Sequence, residues 1–232
     1  MPGPSPCADP VEPLYKSLAI ALVPQPRELP PPPFDTEDLQ RVFSEVVHRY
    51  PYQSFEFMFG GRGAQFTNGP DDMVEIRPQL FQIQAKMDGP EPLPTQSAVK
   101  KVQTILGIAA DRLKVQGFLN CTVAVIASVP APKGSAVAFV TNRLLRDGEK
   151  MAKELGPDYV PGGVRFRCPL AGEVGEAFLS IEPLIRDDTL VYLEHQVGRG
   201  AATGPITLDQ VSTWSKEAFE FVEVPTMRLL SG

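Results

Sequence analysis

Hydrophobic and polar residues along the chain follow two periods, one typical of amphipathic helices and the other typical of half-buried strands. Four segments repeat apolar residues every three or four positions, which predicts helices with one buried face. These segments are residues 39–50, 99–113, 137–155 and 208–222. Other segments alternate apolar and polar residues, which predicts strands with one apolar face; the clearest are residues 55–59, 81–87, 164–168 and 191–197.

The order of these elements is strand, helix, three strands, helix, and the order occurs twice, over residues 14–117 and over residues 118–232. The opening strands, 17–23 and 122–129, are the most continuously apolar, which predicts central positions in a sheet. An antiparallel sheet can leave one face in water. The sequence therefore predicts an α+β fold: two pseudo-repeated β-α-β-β-β-α halves forming one compact unit, with a mostly antiparallel curved sheet and helices packed on one face.

The composition of the chain bears on its N-terminal tail and on its cellular location. The 25 prolines concentrate in residues 1–13, which we interpret as a disordered tail, and in residues 24–33, which fit a stiff connection or a polyproline ligand. No apolar run approaches the roughly 20 residues that span a bilayer, and the N-terminus lacks the features of a secretory signal. The three cysteines, Cys7, Cys121 and Cys168, show no paired spacing. These features predict a cytoplasmic protein with free thiols and no membrane contact.

Residues able to carry catalysis or bind a metal are few. The chain has two histidines, His48 and His195, and neither has a Cys or His neighbour at a zinc-ligand spacing. Glu194 precedes His195 in a strand, so the two side chains point to opposite faces, and we interpret His195 as a core histidine. The pair Asp71-Asp72 is typical of a turn. The sequence therefore predicts no metal, no cofactor and no specific catalytic residue.

Positive charge is concentrated on two of the predicted helices. The formal net charge of −6 works against proteins that bind nucleic acid by neutralising phosphates. The second and third helices nevertheless carry basic residues at equivalent places in the two halves. A solvated helix face explains such residues equally well. The basic residues that we take as possible nucleic-acid contacts are Lys100, Lys101, Arg143 and Arg146.

The water-facing side of the predicted sheet carries a mixture of charged, aromatic and apolar residues. We take six of them as a candidate face for a ligand or partner: Glu56, Met58, Arg165, Arg167, Tyr192 and Glu194. The favoured hypothesis is a non-enzymatic binding or assembly protein that holds a protein partner or a small ligand on this face or between its halves. Nucleic-acid binding through the basic helices ranks second. An enzyme with a site on the same face, and a homodimer that closes it, are the further alternatives.

Several local features resemble those of a known family. They are the Arg49-Tyr50-Pro51 helix ending, the hairpin over residues 73–83 and the helix over residues 208–221. In these the chain resembles a sporadically distributed bacterial family of uncharacterised α+β proteins, a resemblance that implies no activity. The duplicated pattern is also similar to the saddle fold of TATA-box-binding proteins, whose open sheet face grips DNA. The corresponding face here is mixed and acidic, so the likeness concerns the fold and not DNA binding.

Overall fold

A computed structural model describes residues 12–26, 28, 31–131, 134–145, 153–154, 162–171 and 174–231. Residues 1–11 of the predicted tail, which include Cys7, lie outside these ranges, as does Arg146. The strands are β1 (Leu14–Pro24), β2 (Ser54–Met58), β3 (Gly63–Thr67), β4 (Met73–Arg77), β5 (Leu80–Lys86), β6 (Phe118–Pro130), β7 (Val164–Pro169), β8 (Gly175–Pro183) and β9 (Leu190–Gly200). The helices are α1 (Thr36–Val47), α2 (Thr95–Arg112), α3 (Ala136–Phe139), α4 (Leu208–Phe221) and α5 (Met227–Ser231).

The strands form one nine-stranded sheet in the order β2-β3-β4-β5-β1-β6-β9-β8-β7, and every neighbouring pair is antiparallel. The predicted α+β class and antiparallel sheet are thus confirmed. The opening strands β1 and β6 pair with each other at the centre, as their apolar composition predicts. In this register Ile20 lies opposite Ile83 on one side and Val123 on the other.

One face of the sheet is packed and the other is more open. The packed face, called the helix face here, carries Ile20, Ile83 and Val123, each of which is nearly inaccessible to water. Helices contribute aromatic rings to this face: the Phe43 ring on α1 lies 5.6 Å from that of Phe66 on β3. The open face carries the intervening residues, which are half-buried; Ala19, Gln84, Ala124 and Gln196 share one row of it. Within the described ranges, no helix is both long enough and apolar enough to cross a membrane.

The first half contains one strand more than the sequence pattern predicts. The pattern of β3 is short, with apolar residues only at Ala64 and Phe66, and it follows a glycine cluster. Gly60 and Gly61 adopt the left-handed backbone in the turn after β2. At Gly63, the first residue of β3, a Cβ atom would lie 2.6 Å from the carbonyl oxygen of Ile76 on β4, so the two strands approach too closely for any side chain at this position. The expectation of three strands between α1 and α2 is therefore wrong, since there are four.

The third and last helices also differ from their patterns. The described part of the third helix is α3 followed by the wide turn Val140–Leu144, and the predicted apolar positions beyond it at Met151 and Leu155 lie outside the described residues. After α4, the chain makes a wide turn at Val222–Thr226 and then forms α5. Pro225 lies inside this turn, where the larger ring of backbone hydrogen bonds accommodates a residue that has no N–H.

Candidate functional site

The six residues of the predicted binding face share the open face of the sheet but belong to two separate groups. Glu56 and Met58 lie on β2 at one end of the sheet, and Arg165 and Arg167 lie on β7 at the other end. Eight strand-to-strand steps separate β2 from β7, or about 38 Å along the sheet at about 4.8 Å a step. The six residues therefore cannot surround one small molecule.

The group near β7 consists of side chains that contact one another or their neighbours. The Arg165 guanidinium lies 4.7 Å from the centre of the Phe178 ring. The Nε of Arg167 lies 2.6 Å from a carboxylate oxygen of Glu176. The hydroxyl of Tyr192 donates to Glu194 over 3.2 Å, and burial together with the charge of Glu194 raises the pKa of Tyr192. This tyrosine therefore stays protonated and acts as a donor.

The predicted basic helix faces are only partly at the surface. Lys100 is exposed on α2, and Arg143 is exposed in the turn after α3. The Lys101 side chain is 8 % exposed and its ammonium lies 2.6 Å from Asp72, which corrects the assignment of Lys101 to a basic surface. Moreover α2 packs against α1 and α4, whereas the described part of α3 packs against β8. Of the four predicted nucleic-acid contacts, the structure thus describes two at the surface, on elements with different packing partners.

A concave apolar site lies on the helix face at the β7 end of the sheet. It is a cavity of about 370 Å³ between strands β7–β9 and helices α4 and α5, and we call it the β7–α4 cleft. Its strand side carries Phe166, Cys168, Ala177, Leu179, His195, Val197 and Arg199, and its helix side carries Trp214, Glu217, Ala218, Phe221 and Leu229.

Strand register and helix periodicity bring these side chains together. Phe166, Leu179 and His195 lie opposite one another on β7, β8 and β9 and form one row across the sheet. On α4, Trp214, Ala218 and Phe221 follow each other at intervals of four and three residues, so they share one side of the helix. The helix start is fixed by a capping box between Thr207 and Gln210.

His195 is the most deeply buried polar side chain in the wall of the cleft. The residue is 3 % exposed, and its Nδ1 lies 3.3 Å from the backbone oxygen of Ala218. A carbonyl oxygen only accepts, so Nδ1 carries the ring proton and Nε2 is left as a hydrogen-bond acceptor. The ring stacks on Phe221 with centroids 4.1 Å apart and planes 16° apart. Burial lowers the pKa of His195 to about 4, so the ring is neutral at pH 7. The interpretation of His195 as a core histidine is confirmed.

An ion pair borders the cleft. Arg199 on β9 places its guanidinium 4.8 Å from the centre of the Trp214 ring and 2.9 Å from a carboxylate oxygen of Glu217. The side chain of Arg199 is 14 % exposed, whereas that of Glu217 is 48 % exposed. A guanidinium over an indole face is a favourable cation–π arrangement. The pair fixes one side of α4 against β9 and contributes no net charge to the site.

Large apolar side chains remain in contact with water at this site. Phe166, Phe221 and Leu229 are 46 %, 37 % and 42 % exposed, although all three border the same cavity. Single exposed apolar residues are ordinary on protein surfaces, but apolar residues that converge in a concavity mark a binding surface. The exposed thiol of Cys168 lies in the same wall.

The sequence contains the parts of this site without indicating that they meet. Trp214 and Phe221 belong to the predicted helix stripe, and Phe166 and Cys168 to a predicted strand. Their convergence depends on the register of β7, β8 and β9, which no local pattern specifies. A signal was available in the excess of aromatic residues on the last predicted helix, where Trp214, Phe219 and Phe221 lie close together in sequence.

Within the described ranges, no cluster of three or more His, Cys, Asp or Glu side chains is arranged to hold a metal ion. Comparison with known proteins finds no matching family model, no curated protein of significantly similar sequence and no solved structure of significantly similar fold.

Proposed function

We propose that this protein binds a small apolar molecule in the β7–α4 cleft and acts as a binding protein rather than an enzyme. The observation that carries the proposal is the convergence of the exposed side chains Phe166, Phe221 and Leu229 on one concave site. The cavity volume of about 370 Å³ falls within the roughly 300–1,000 Å³ of small-molecule sites, which are mostly apolar with a few polar groups.

The energetics favour an apolar occupant. Covering apolar surface contributes about 25 cal/mol per Å², so each 100 Å² that a ligand removes from water contributes about 2.5 kcal/mol before the costs of association. The cleft presents this surface already formed, because His195 is buried against Phe221 and Arg199 is held by Glu217. A preformed site keeps the ordering cost of binding low.

The arrangement of the sheet supports a comparison between the two halves of the chain. We propose that the halves share one plan, because the strand order runs outward from β1 and β6 through β5 and β9, β4 and β8, and β3 and β7. In the first half α1 packs against both β3 and α2. On this plan α3 corresponds to α1, and the described part of α3 packs against β8, which also forms part of the wall of the cleft.

The uncharged fluorophore N-phenyl-1-naphthylamine tests this proposal. Trp214 is the one tryptophan of the chain and lies in the wall of the cleft, so energy transfer from it reports a probe bound there. We expect saturable transfer with one probe per chain. Ala177→Phe places a ring in the cavity from β8 and should weaken binding by about tenfold or more, whereas Ile185→Ala, at a fully exposed position, should not. Equal binding by both variants would place the probe elsewhere and overturn the proposal.

The natural occupant is sought by native mass spectrometry of the protein purified gently from its own host. A small added mass that is lost on denaturation, and that Ala177→Phe prevents from accumulating, supports the proposal. An added protein chain would instead show that the protein binds a protein partner. A doubled mass that persists in Ala177→Phe would show that it forms a homodimer.

A further inference from the structure

The side chains of the β7–α4 cleft restrict the chemistry of its occupant. We infer that the bound molecule is an uncharged, planar aromatic compound with an O–H or N–H donor that His195 accepts. The inference rests on the proposed function and adds to it the class of ligand. Three properties of the wall support this class of ligand. They are the aromatic rings, the mutual neutralisation of Arg199 and Glu217, and the neutral hydrogen-bond acceptor of His195.

Planarity follows from the rings that border the cavity. Phe166 comes from the strand side, Trp214 and Phe221 come from the helix side, and the His195 ring lies parallel to that of Phe221. The rings of Phe166 and Phe221 both retain exposed surface. Aromatic groups pack against such rings in offset or edge-to-face arrangements that stabilise a complex beyond the area they bury. A flat ring system therefore gains more here than a flexible chain of equal area.

The charge of the site excludes an ionic ligand. Arg199 and Glu217 are the charged side chains of the described lining, and they pair with each other at 2.9 Å. The Arg199 guanidinium is also placed over the Trp214 ring. A carboxylate or an ammonium entering the cleft would have to break this pair or remain without a counter-charge, and both alternatives cost free energy in an apolar site.

The requirement for a hydrogen-bond donor on the ligand follows from the tautomer of His195. Because Nδ1 donates to the oxygen of Ala218, the neutral ring offers Nε2 as an acceptor and has no second donor. A ligand O–H or N–H would supply a hydrogen bond to this nitrogen. A hydrogen bond of this kind contributes about 0.5–1.5 kcal/mol net, which corresponds to a change in affinity of about twofold to twelvefold.

Three planar aromatic compounds of similar size separate the effects of the donor and of charge: 1-naphthol has a donor, 1-methylnaphthalene has none, and 1-naphthoate is an anion. Their affinities for the full-length wild-type protein are measured by equilibrium dialysis at pH 7. We expect 1-naphthol to bind about twofold to twelvefold more tightly than 1-methylnaphthalene and 1-naphthoate to bind most weakly. This ranking requires no variant and hence no assumption about folding.

Variants then test whether the difference in affinity between 1-naphthol and 1-methylnaphthalene originates at Nε2 of His195. His195→Phe keeps a ring against Phe221 and removes the acceptor, so the two uncharged compounds should bind it equally. His48→Phe alters the other histidine, which is exposed on the far half of the chain, and should keep the wild-type ranking. Equal affinity of all three compounds for the wild-type protein, or tightest binding of 1-naphthoate, would overturn the inference while the proposed function stands. Failure of every compound and of N-phenyl-1-naphthylamine would overturn both.

Discussion

The ammonium nitrogen of Lys101 lies 2.6 and 2.8 Å from the two carboxylate oxygens of Asp72. Both side chains are less than 10 % exposed, and the hydroxyl of Tyr52 donates to the same carboxylate over 3.2 Å. The pair joins α2 to the turn that precedes β4. A charge that is buried in this way depends on its partner, because neither group can recover its hydration in place.

The first prediction concerns this ion pair. Lys101→Met leaves the Asp72 carboxylate buried without its cation and should lower the free energy of unfolding by about 3–5 kcal/mol. The double variant Asp72→Asn with Lys101→Met should be more stable than Lys101→Met alone, because no charge remains buried. Urea unfolding of the wild type, both single variants and the double variant gives the coupling energy. The control is Lys100→Met, a change at the exposed neighbouring lysine, which should alter the free energy of unfolding by no more than about 0.5 kcal/mol. Strictly additive effects of the Asp72 and Lys101 substitutions would contradict the pairing.

The burial of Lys101 is a feature that the sequence pattern does not predict. The helix that carries it was predicted from Val99, Val102 and Leu106, and the strand after Asp72 from alternation. Both predictions hold because each depends on a local period. That a lysine beside the apolar stripe turns inward is decided by a carboxylate 29 positions earlier in the chain, which the helix period cannot reveal.

The same reason explains where the structure places the candidate binding residues. Strand alternation correctly placed Arg165, Arg167 and Tyr192 on the open face, but distance along the sheet depends on strand order, which separated them from Glu56. The β7–α4 cleft was missed because its walls come from β7, β8, β9 and α4, and their alignment is a tertiary property. The central positions of β1 and β6 could be predicted, because strands at the centre of a sheet lose more contact with water and their sequences are correspondingly apolar.

The second prediction concerns the start of α4, the helix that carries Trp214 and Phe221. The hydroxyl of Thr207 accepts from the backbone N–H of Gln210, whose side chain accepts from the N–H of Thr207. Thr207→Ala removes this cap and should cost about 1 kcal/mol of stability, whereas Thr207→Ser should retain most of it.

Thermal and urea unfolding measure the effect of the cap, with Thr213→Ala as the control. The Thr213 hydroxyl bonds back to the oxygen of Asp209 within the same helix, so its loss should change stability by less than about 0.5 kcal/mol. Equal destabilisation by Thr207→Ala and Thr213→Ala would show that the capping box makes no special contribution.

The third prediction is a dependence of stability on pH that originates at His195. Its pKa falls from 6.5 in the unfolded chain to about 4 in the folded protein, so between these values the unfolded chain binds more protons. The contribution of His195 to stability should then rise with pH from about 4 to 6.5, stay at its full value above that window, and fall as the pH is lowered through it. The contribution lost is about 3 kcal/mol, at about 1.4 kcal/mol for each pH unit.

Urea unfolding at several pH values between 4 and 7 tests this contribution. Subtracting the curve of His195→Phe from that of the wild type removes the titration of carboxylates common to both proteins. The difference should decline towards acid pH, because only the wild type loses the contribution of His195. A flat difference for His195→Phe would mean that the ring titrates alike in the folded and unfolded chains.

The last prediction uses the two described cysteines as reporters of the cleft. Cys121 is buried in β6, and burial raises its pKa to about 12, whereas Cys168 is exposed in the cleft wall. Because the thiolate is the form that reacts, iodoacetamide at pH 8 should alkylate Cys168 far faster than Cys121, by a factor of about 10³ or more. Peptide mass spectrometry resolves the sites and counts Cys7 separately.

Ligand protection connects this chemistry to the proposed function. Saturating N-phenyl-1-naphthylamine should slow alkylation of Cys168, because a molecule in the cleft covers its sulfur, and should leave the rate at Cys121 unchanged. Ala177→Phe should abolish the protection, since the introduced ring takes the place of the probe, while Ile185→Ala should preserve it. If the probe slowed Cys121 and Cys168 in equal proportion, the effect would be a general stabilisation of the fold, and the cleft would lose its role as the binding site.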